Sequence, residues 1–198
     1  MDNSNKSFWE MRWATDQTGW DLGEVSPPIK AYIDQLKNKD IAILIPGCGN
    51  AYEAKYLSKQ GFTNITLIDI AELACKRLQQ KFHNNESVKV VCQDFFNHHG
   101  NYDLILEQTF FCAINPGLRK KYVSTMFDLL NESGRVAGLL FASEFESEGP
   151  PFGGNPNEYI NLFNPYFNIK KMEPCYNSAQ PRANNELFII LEKKITLH

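Results

Sequence analysis

The sequence predicts an α/β fold, an open, mostly parallel seven-stranded sheet with helices on both faces, and three observations predict it. From Ser26 onward strand and helix signals alternate without a linker, repeat or low-complexity tract, as successive βαβ units require. Ile41 to Ile45 is an unbroken apolar run, which suits a strand buried on both faces, and it leads into Pro46-Gly47-Cys48-Gly49-Asn50. Two glycines one residue apart let backbone approach a ligand where a strand turns into a helix. The next apolar run closes on Asp69, where the ribose-binding carboxylate of a Rossmann-like sheet belongs.

Each element has a local cause. Ser26 and Pro27 open the first clear helix, since a hydroxyl suits an N-cap and proline the first turn; Ile29, Tyr32, Ile33 and Leu36 recur at i, i+3, i+4, i+7 before Asn38 and Asp40 end it. The strand Ile41 to Ile45 follows. A helix from about Ala51 stops at Gly61, and Ile65 to Ile68 makes the second strand, ending at Asp69. Leu73, Leu78 and Phe82 mark the next helix, which leads to a third strand at Val88 to Cys92 and, past His98-His99-Gly100, a fourth at Tyr102 to Leu106. Pro116-Gly117 begins a helix carrying Leu118, Tyr122, Met126, Leu129 and Leu130, closed by Ser133-Gly134 before a wholly apolar fifth strand at Val136 to Phe141. Asn155-Pro156 caps a last helix through Ile160 and Phe163, stopped by Pro165. Phe167 to Met172 and Glu186 to Glu192 supply a terminal pair of strands joined by a long hairpin loop.

A chain of 198 residues, 43% hydrophobic and 13% aromatic, suffices for one well-buried core and is short for two, so residues 1–198 are expected to form a single domain. A net charge of −3 and a pI near 5.8 leave no basic excess to neutralise phosphates. A small-molecule partner is therefore expected, with no nucleic acid, no membrane and a monomeric state. Met1 to Lys6 is polar without an apolar signal core, and no run approaches the roughly 18 apolar residues of a membrane span, which predicts a cytoplasmic protein. Cys48, Cys75, Cys92, Cys112 and Cys175 are odd in number and contain no C-x-x-C pair, so reduced thiols are expected. His98-His99 lacks a third ligand at metal-binding spacing and His83 and His198 lie among polar residues; no metal is assigned. Arg119-Lys120-Lys121, near the start of an amphipathic helix, reads as a solvated face.

The glycine turn narrows the cofactor. A dinucleotide site uses G-x-G-x-x-G, in which amides at the helix start hold a pyrophosphate and the third glycine admits close helix packing. Here that third position is Tyr52, which would crowd a pyrophosphate. S-adenosylmethionine has no phosphate and asks only for close backbone along its methionine portion. Asp69 suits either adenosine cofactor and also serves as an ordinary helix N-cap. After the third strand, Asp94 can accept from an adenine amine and Phe95 can pack on the base.

All three tryptophans fall in one short N-terminal stretch, Phe8-Trp9-Glu10-Met11-Arg12-Trp13 and Gly19-Trp20-Asp21-Leu22-Gly23. Together with Pro46-Gly47-Cys48-Gly49, Phe110-Phe111-Cys112-Ala113-Ile114-Asn115-Pro116 and Gly149-Pro150-Pro151-Phe152, this stretch resembles the thiopurine methyltransferase family, including plant-type halide, thiocyanate and thiol methyltransferases, over nearly the whole chain. The resemblance implies the class I methyltransferase fold, S-adenosylmethionine as cofactor, and residues 1–25 as an arm over its site. Carried over position by position, it implies that Trp9, Trp13 and Trp20 cover the cofactor, Gly47, Cys48 and Gly49 line its methionine end, Asp69 holds ribose and Asp94 and Phe95 contact adenine. Gln108 and the residues after it, Phe111 among them, would flank the transferable methyl. Phe152 becomes a wall of the acceptor pocket and Arg182 a contact for an anionic acceptor. At Gln108 the halide and thiol branch tends to carry tyrosine and the thiopurine branch arginine, which leaves the branch open.

The expected activity is transfer of a methyl group from S-adenosylmethionine to a small soft nucleophile: a thiol, thiopurine, thiocyanate or halide. Displacement at a sulfonium by such an acceptor needs alignment and a dry pocket more than a strong base, so no catalytic residue is assigned. Glu107 is a possible carboxylate if it faces the pocket. Cys48, beside a helix start, is either a stabilised thiolate or, preferred, a small buried thiol. The alternatives are a non-catalytic module that binds S-adenosylmethionine or S-adenosylhomocysteine, a base-directed amino-methyltransferase, and an NAD-dependent oxidoreductase.

Overall fold

The computed structural model describes residues 3–145 and 149–195. Seven strands form one sheet in the order β3-β2-β1-β4-β5-β7-β6: β1 (Ile43–Pro46), β2 (Ile65–Asp69), β3 (Val88–Cys92), β4 (Tyr102–Gln108), β5 (Leu130–Phe141), β6 (Phe167–Pro174) and β7 (Glu186–Lys193). The first five run parallel, while β7 lies antiparallel between β5 and β6. Six α-helices accompany them: α1 (Asn3–Ala14), α2 (Pro27–Ile33), α3 (Tyr52–Lys59), α4 (Glu72–Lys81), α5 (Arg119–Leu129) and α6 (Pro156–Phe163).

The strands are apolar on both sides because helices cover both. Every residue of β1 and β2 is buried. On one face Leu44, Ile68, Ile105 and Val136 pack with Tyr122 and Met126 of α5 and Phe163 of α6. On the other, Ile43, Ile45, Leu67 and Leu106 pack with Ile29 and Ile33 of α2 and Leu57 of α3. At about 1.5–3 kcal/mol for each large apolar side chain removed from water, these two layers dominate the folding free energy.

Helix boundaries follow the expected chemistry where a side chain caps them. Asn155 accepts from the Glu158 N–H at 3.0 Å to start α6, and Ser26 precedes prolines at the start of α2, although there its hydroxyl is used elsewhere. Three boundaries differ from the sequence reading. β1 begins at Ile43, because the Ala42 N–H donates to the Asp103 carboxylate at 2.8 Å rather than to a neighbouring strand. β5 begins at Leu130, not Val136: Leu130 pairs with Tyr102, the register slips, and pairing resumes at Leu104 and Arg135. Gly134 sits inside that irregularity, where a Cβ would stand 2.9 Å from the Tyr102 and Asn131 carbonyl oxygens. The third difference is in the N-terminal stretch, read from sequence as an arm without assigned secondary structure, which contains helix α1 followed by a loop.

β1 to β3 build outward in one direction and β4 onward in the other, so the connections part between β1 and β4. In open α/β sheets the ligand crevice lies at the carboxyl ends of the strands at that point.

Candidate active site

A cavity of about 470 Å³ opens at that parting. Its floor comes from the strand ends: Gly47 and Gly49 after β1, Asp69 and Ile70 at β2, Gln93 to Phe95 after β3, Thr109 and Phe110 after β4, and Phe141 at the end of β5. Gly47 (φ +55°) and Gly49 (φ +51°) occupy the left-handed region, which disfavours any side chain there. Space adds a second restriction at Gly47, where a Cβ would lie 2.3 Å from the Phe110 ring.

Asp69 binds the turn to the next helix. Its Oδ2 accepts from the Gly49 N–H at 3.1 Å and its Oδ1 from the Ala71 N–H at 2.9 Å, leaving one further lone pair on each oxygen. Burial raises its pKa and outweighs the opposing pull of the Ala71, Gly49 and Ile70 amides. Asp94 caps the turn Phe95–Asn97 by accepting from the Phe96 N–H at 3.0 Å. Phe95 is buried edge-on against Phe110, with ring centres 5.1 Å apart.

The roof is aromatic. Trp9, Trp13 and Trp20 all line the cavity, and the Trp20 ring lies edge-on to the other two at 5.3 and 6.1 Å. Trp9 and Trp13 are one helical turn apart on α1, which rests on α4. The Glu10 carboxylate accepts from the Glu72 N–H at 2.6 Å, Lys6 reaches Glu72 at 2.6 Å, and the Arg77 guanidinium lies over Trp13 at 5.6 Å. Helix α1 therefore places two of the three indoles, Trp9 and Trp13, at the same i, i+4 spacing as Phe8 and Arg12, which stack at 5.0 Å, while Trp20 comes from the loop that follows.

The remaining wall is built by Phe141, Pro150, Pro151 and Pro181 with Arg182 beside them. Arg182 is only 8% exposed, donates from Nη2 to the Trp20 carbonyl at 2.5 Å, and lies 3.6 Å from the Glu186 carboxylate, too far for a hydrogen bond. Its Nη1 and Glu186 Oε2 are buried without a hydrogen-bond partner among the described residues. Burial is the main cause that raises the Glu186 pKa.

Of the residues expected from sequence, Trp9, Trp13, Trp20, Gly47, Gly49, Asp69, Asp94, Phe95 and Arg182 come together around this cavity. Cys48 and Gln108 border a smaller annex of about 50 Å³ that shares Trp20, the glycine turn and Arg182 with it. Gln108 accepts from the Ser26 hydroxyl at 2.7 Å, while its Nε2 is buried without a hydrogen-bond partner among the described residues. Burial pushes the Cys48 thiol well above its ordinary range, so it is a neutral packing group.

Two aromatic residues are placed differently. Phe111 does not line the cavity: in the turn Phe111–Ala113 its ring turns away from Phe110 into the core, 5.1 Å from Tyr122 and 5.4 Å from Tyr159. Phe152 contributes backbone instead of ring, its N–H donating to the Cys112 carbonyl at 2.7 Å. Glu107 is fully buried and does not border the cavity. The basic run also divides: Arg119 is 5% exposed, bonded at 2.6 Å to both Glu158 and the Gly153 carbonyl, while Lys120 and Lys121 are exposed. Among the described residues no three His, Cys, Asp or Glu side chains gather into a metal-sized group, and no helix is long and apolar enough to cross a membrane. His198 lies outside the described residues. Phe141 and Gln93 escaped the sequence reading, although their places at strand ends follow from the rule that ligands sit beyond the carboxyl termini of parallel strands.

Comparison with known proteins shows the family and the fold. The family model for thiopurine S-methyltransferase matches residues 4–197. A probable thiol methyltransferase 2 of Arabidopsis thaliana is 30% identical over 204 residues, spanning 100% of this chain and 90% of that protein. Thiocyanate methyltransferase 1 of Brassica oleracea is 28% identical over 163 residues, spanning 79% of this chain and 71% of that one. Among solved structures, a Burkholderia thailandensis 1,6-didemethyltoxoflavin-N1-methyltransferase holding 1,6-didemethyltoxoflavin and S-adenosylhomocysteine superposes with a TM-score of 0.78 at 18% identity, over 96% of this chain and 87% of that one.

Proposed function

The chain belongs to the thiopurine S-methyltransferase family, and from that premise we infer how its cavity transfers a methyl group from S-adenosylmethionine to a small, soft, anionic acceptor. Sulfonium methyl transfer is the family chemistry; the residue roles and the charge of the acceptor are our reading.

The residues present fit the donor. Asp69 keeps spare lone pairs facing a cavity it lines, as a ribose diol requires. A Cβ on Gly49 would stand 3.8 Å from both Trp13 and Trp20, so the glycine turn and the indole roof face each other across a narrow gap. Asp94 and Phe95 stand at the adenine end. Aromatic faces attract a desolvated cation by ~1–2 kcal/mol, so the roof both binds a sulfonium and excludes water.

Bound donor supplies a methyl on a sulfonium, which an acceptor lone pair takes in line as the carbon–sulfur bonding pair returns to sulfur. No protein nucleophile is required, and burial agrees: Cys112 on the cavity wall has its thiol pushed up to about 12. Glu107 is sealed from the cavity and cannot take the acceptor's proton. The acceptor must then arrive ionised, as thiocyanate, iodide, hydrosulfide or a thiolate. The observation that carries this reading is Arg182, a buried guanidinium whose Nη1 faces Glu186 at 3.6 Å but has no hydrogen-bond partner among the described residues, beside three prolines and Phe141. An anion there completes its hydrogen bonding.

The test is a screen with methyl-labelled S-adenosylmethionine over thiocyanate, iodide, sulfide, small thiols and thiopurines. Labelled methyl product from the compact anions, in step with S-adenosylhomocysteine, is expected. Donor binding with no turnover of any of them would contradict the reading and favour a non-catalytic binding module.

A further inference from the structure

Among the described residues the carboxylate of Glu107 is the one acid at 0% exposure, and no part of the chemistry above uses it. No cation among the described residues pairs with it. Oε1 accepts from the Phe110 and Phe111 N–H groups at 2.8 and 2.9 Å, and Oε2 accepts from the Tyr122 hydroxyl at 2.5 Å. Opposite it in β5 stands Gly138, where a Cβ would lie 2.1 Å from the Glu107 carbonyl oxygen and 2.6 Å from its Cβ, so the two strands approach closely at this residue. Packing alone does not call for an acid here. An apolar or amide side chain would fill the volume without desolvating a charge.

What the carboxylate holds is the turn that separates the two ends of the reaction. Phe110 presses on Gly47, close enough that a Cβ there would clash, so its ring buttresses the donor's glycine turn. Cys112 and Ala113, in the same turn, line the cavity, and the Cys112 carbonyl receives the Phe152 N–H and so anchors the Pro150-Pro151 wall. We propose that Glu107 is a positioning residue for methyl transfer, fixing through Phe110 and Cys112 the distance between the glycine turn that holds the donor and the wall that holds the acceptor.

Two features support this. The pair of N–H groups at the start of the turn would otherwise be buried without partners, so the turn's shape depends on this acceptor. Burial also pushes the Glu107 pKa up to about 7, against the opposing pull of Tyr122 and the Phe110 and Phe111 amides. The titratable groups that face it are Tyr122 from α5 and Cys112 from its own turn; β5 contributes only Gly138. A neutral carboxyl still accepts from the two amides, with the Tyr122 hydroxyl turning to accept its proton, but it grips them less strongly.

The acceptor half of this proposal rests on the function proposed above, and the experiment separates the two. Wild type, Glu107→Gln and Tyr122→Phe are compared by kcat/KM for thiocyanate, which does not titrate between about pH 5.5 and 8.5, and by calorimetric S-adenosylhomocysteine affinity over the same range. In wild type, kcat/KM should fall several-fold on acidification through about 7, with a smaller step in affinity. Glu107→Gln should lose both steps and stay near the low-pH wild-type values. Tyr122→Phe, which removes a bond favouring the anion, should move both steps to higher pH. Flat wild-type profiles, or an unchanged step in Glu107→Gln, would overturn the proposal. If wild type methylates no acceptor, the functional reading fails, and Glu107 is judged by the affinity step alone, whose absence from wild type or persistence in Glu107→Gln counts against it.

Discussion

Asp69 fixes the glycine turn and the approach to α4 through the Gly49 and Ala71 amides, and in the proposed reading the same carboxylate also holds the ribose. Replacing it with asparagine removes the charge and offers an amide donor where acceptors are needed. The affinity for S-adenosylhomocysteine should fall about 10- to 100-fold, the equivalent of ~1.5–3 kcal/mol for a hydrogen bond to a charged group, as calorimetry would measure. Because burial raises the Asp69 pKa, the part of the affinity that depends on its charge should be lost at a higher pH than an ordinary carboxyl would give, and should be missing from Asp69→Asn. Arg182 acts on the other ligand. Arg182→Met should raise KM for thiocyanate by at least about 10-fold, with Arg182→Lys intermediate because it keeps the charge but loses the fork. Glu107 also predicts a stability signature. Its folded-state pKa of about 7 exceeds the ordinary 4.5, so the folded protein binds the extra proton between these values and gains stability on acidification. Thermal melts should show wild type gaining on Glu107→Gln by up to ~3 kcal/mol as pH falls across that window.

At the scale of elements, α1 is the part whose loss should cost function without costing the fold. It touches the body chiefly at α4, through an exposed Lys6–Glu72 pair worth little by itself and through the Trp13 ring. The core layers are built from other elements. A chain lacking residues 1–14 should keep its circular dichroism yet bind S-adenosylhomocysteine at least about 30-fold more weakly, since two of three indoles leave the roof. Donor binding should also change the tryptophan fluorescence of the full chain. Much of this layout was legible in the sequence: apolar runs, interrupted only by Thr66, Lys89 and Asp103, marked the five parallel strands, and Asn155-Pro156 marked the start of α6 correctly. α1 was not, because the tryptophans stood out by their number while their i, i+4 spacing is confined to a single turn. The start of β5 was hidden by Ser133-Gly134, a helix-stop signature that in this chain lies inside a strand irregularity. Within the site, the glycine turn, Asp69 and the tryptophans lay where their residue types suggest. The opposite destinations of Phe110 and Phe111 depend on a single turn of 3₁₀ helix, which neighbouring identical residues cannot reveal.

For the whole molecule, the relevant fact is that one chain supplies floor, roof and acceptor wall. We propose that the site needs no second copy of the chain, so sedimentation should give a species of 22.7 kDa whose donor affinity does not depend on protein concentration. The sheet order also explains why residues far apart in sequence meet. Because β1 and β4 lie side by side and parallel where the connections part, the Gly47–Gly49 turn stands beside Phe110, and the antiparallel insertion of β7 returns Arg182 to the Trp20 carbonyl. A crystal structure with S-adenosylhomocysteine and thiocyanate tests the central claim most directly. The account predicts the ribose on Asp69, the adenine beside Phe95, the indoles of Trp9, Trp13 and Trp20 over the ligand, and its sulfur facing a thiocyanate held by Arg182. A sulfur directed at solvent, or an anion lodged away from Arg182, would contradict it.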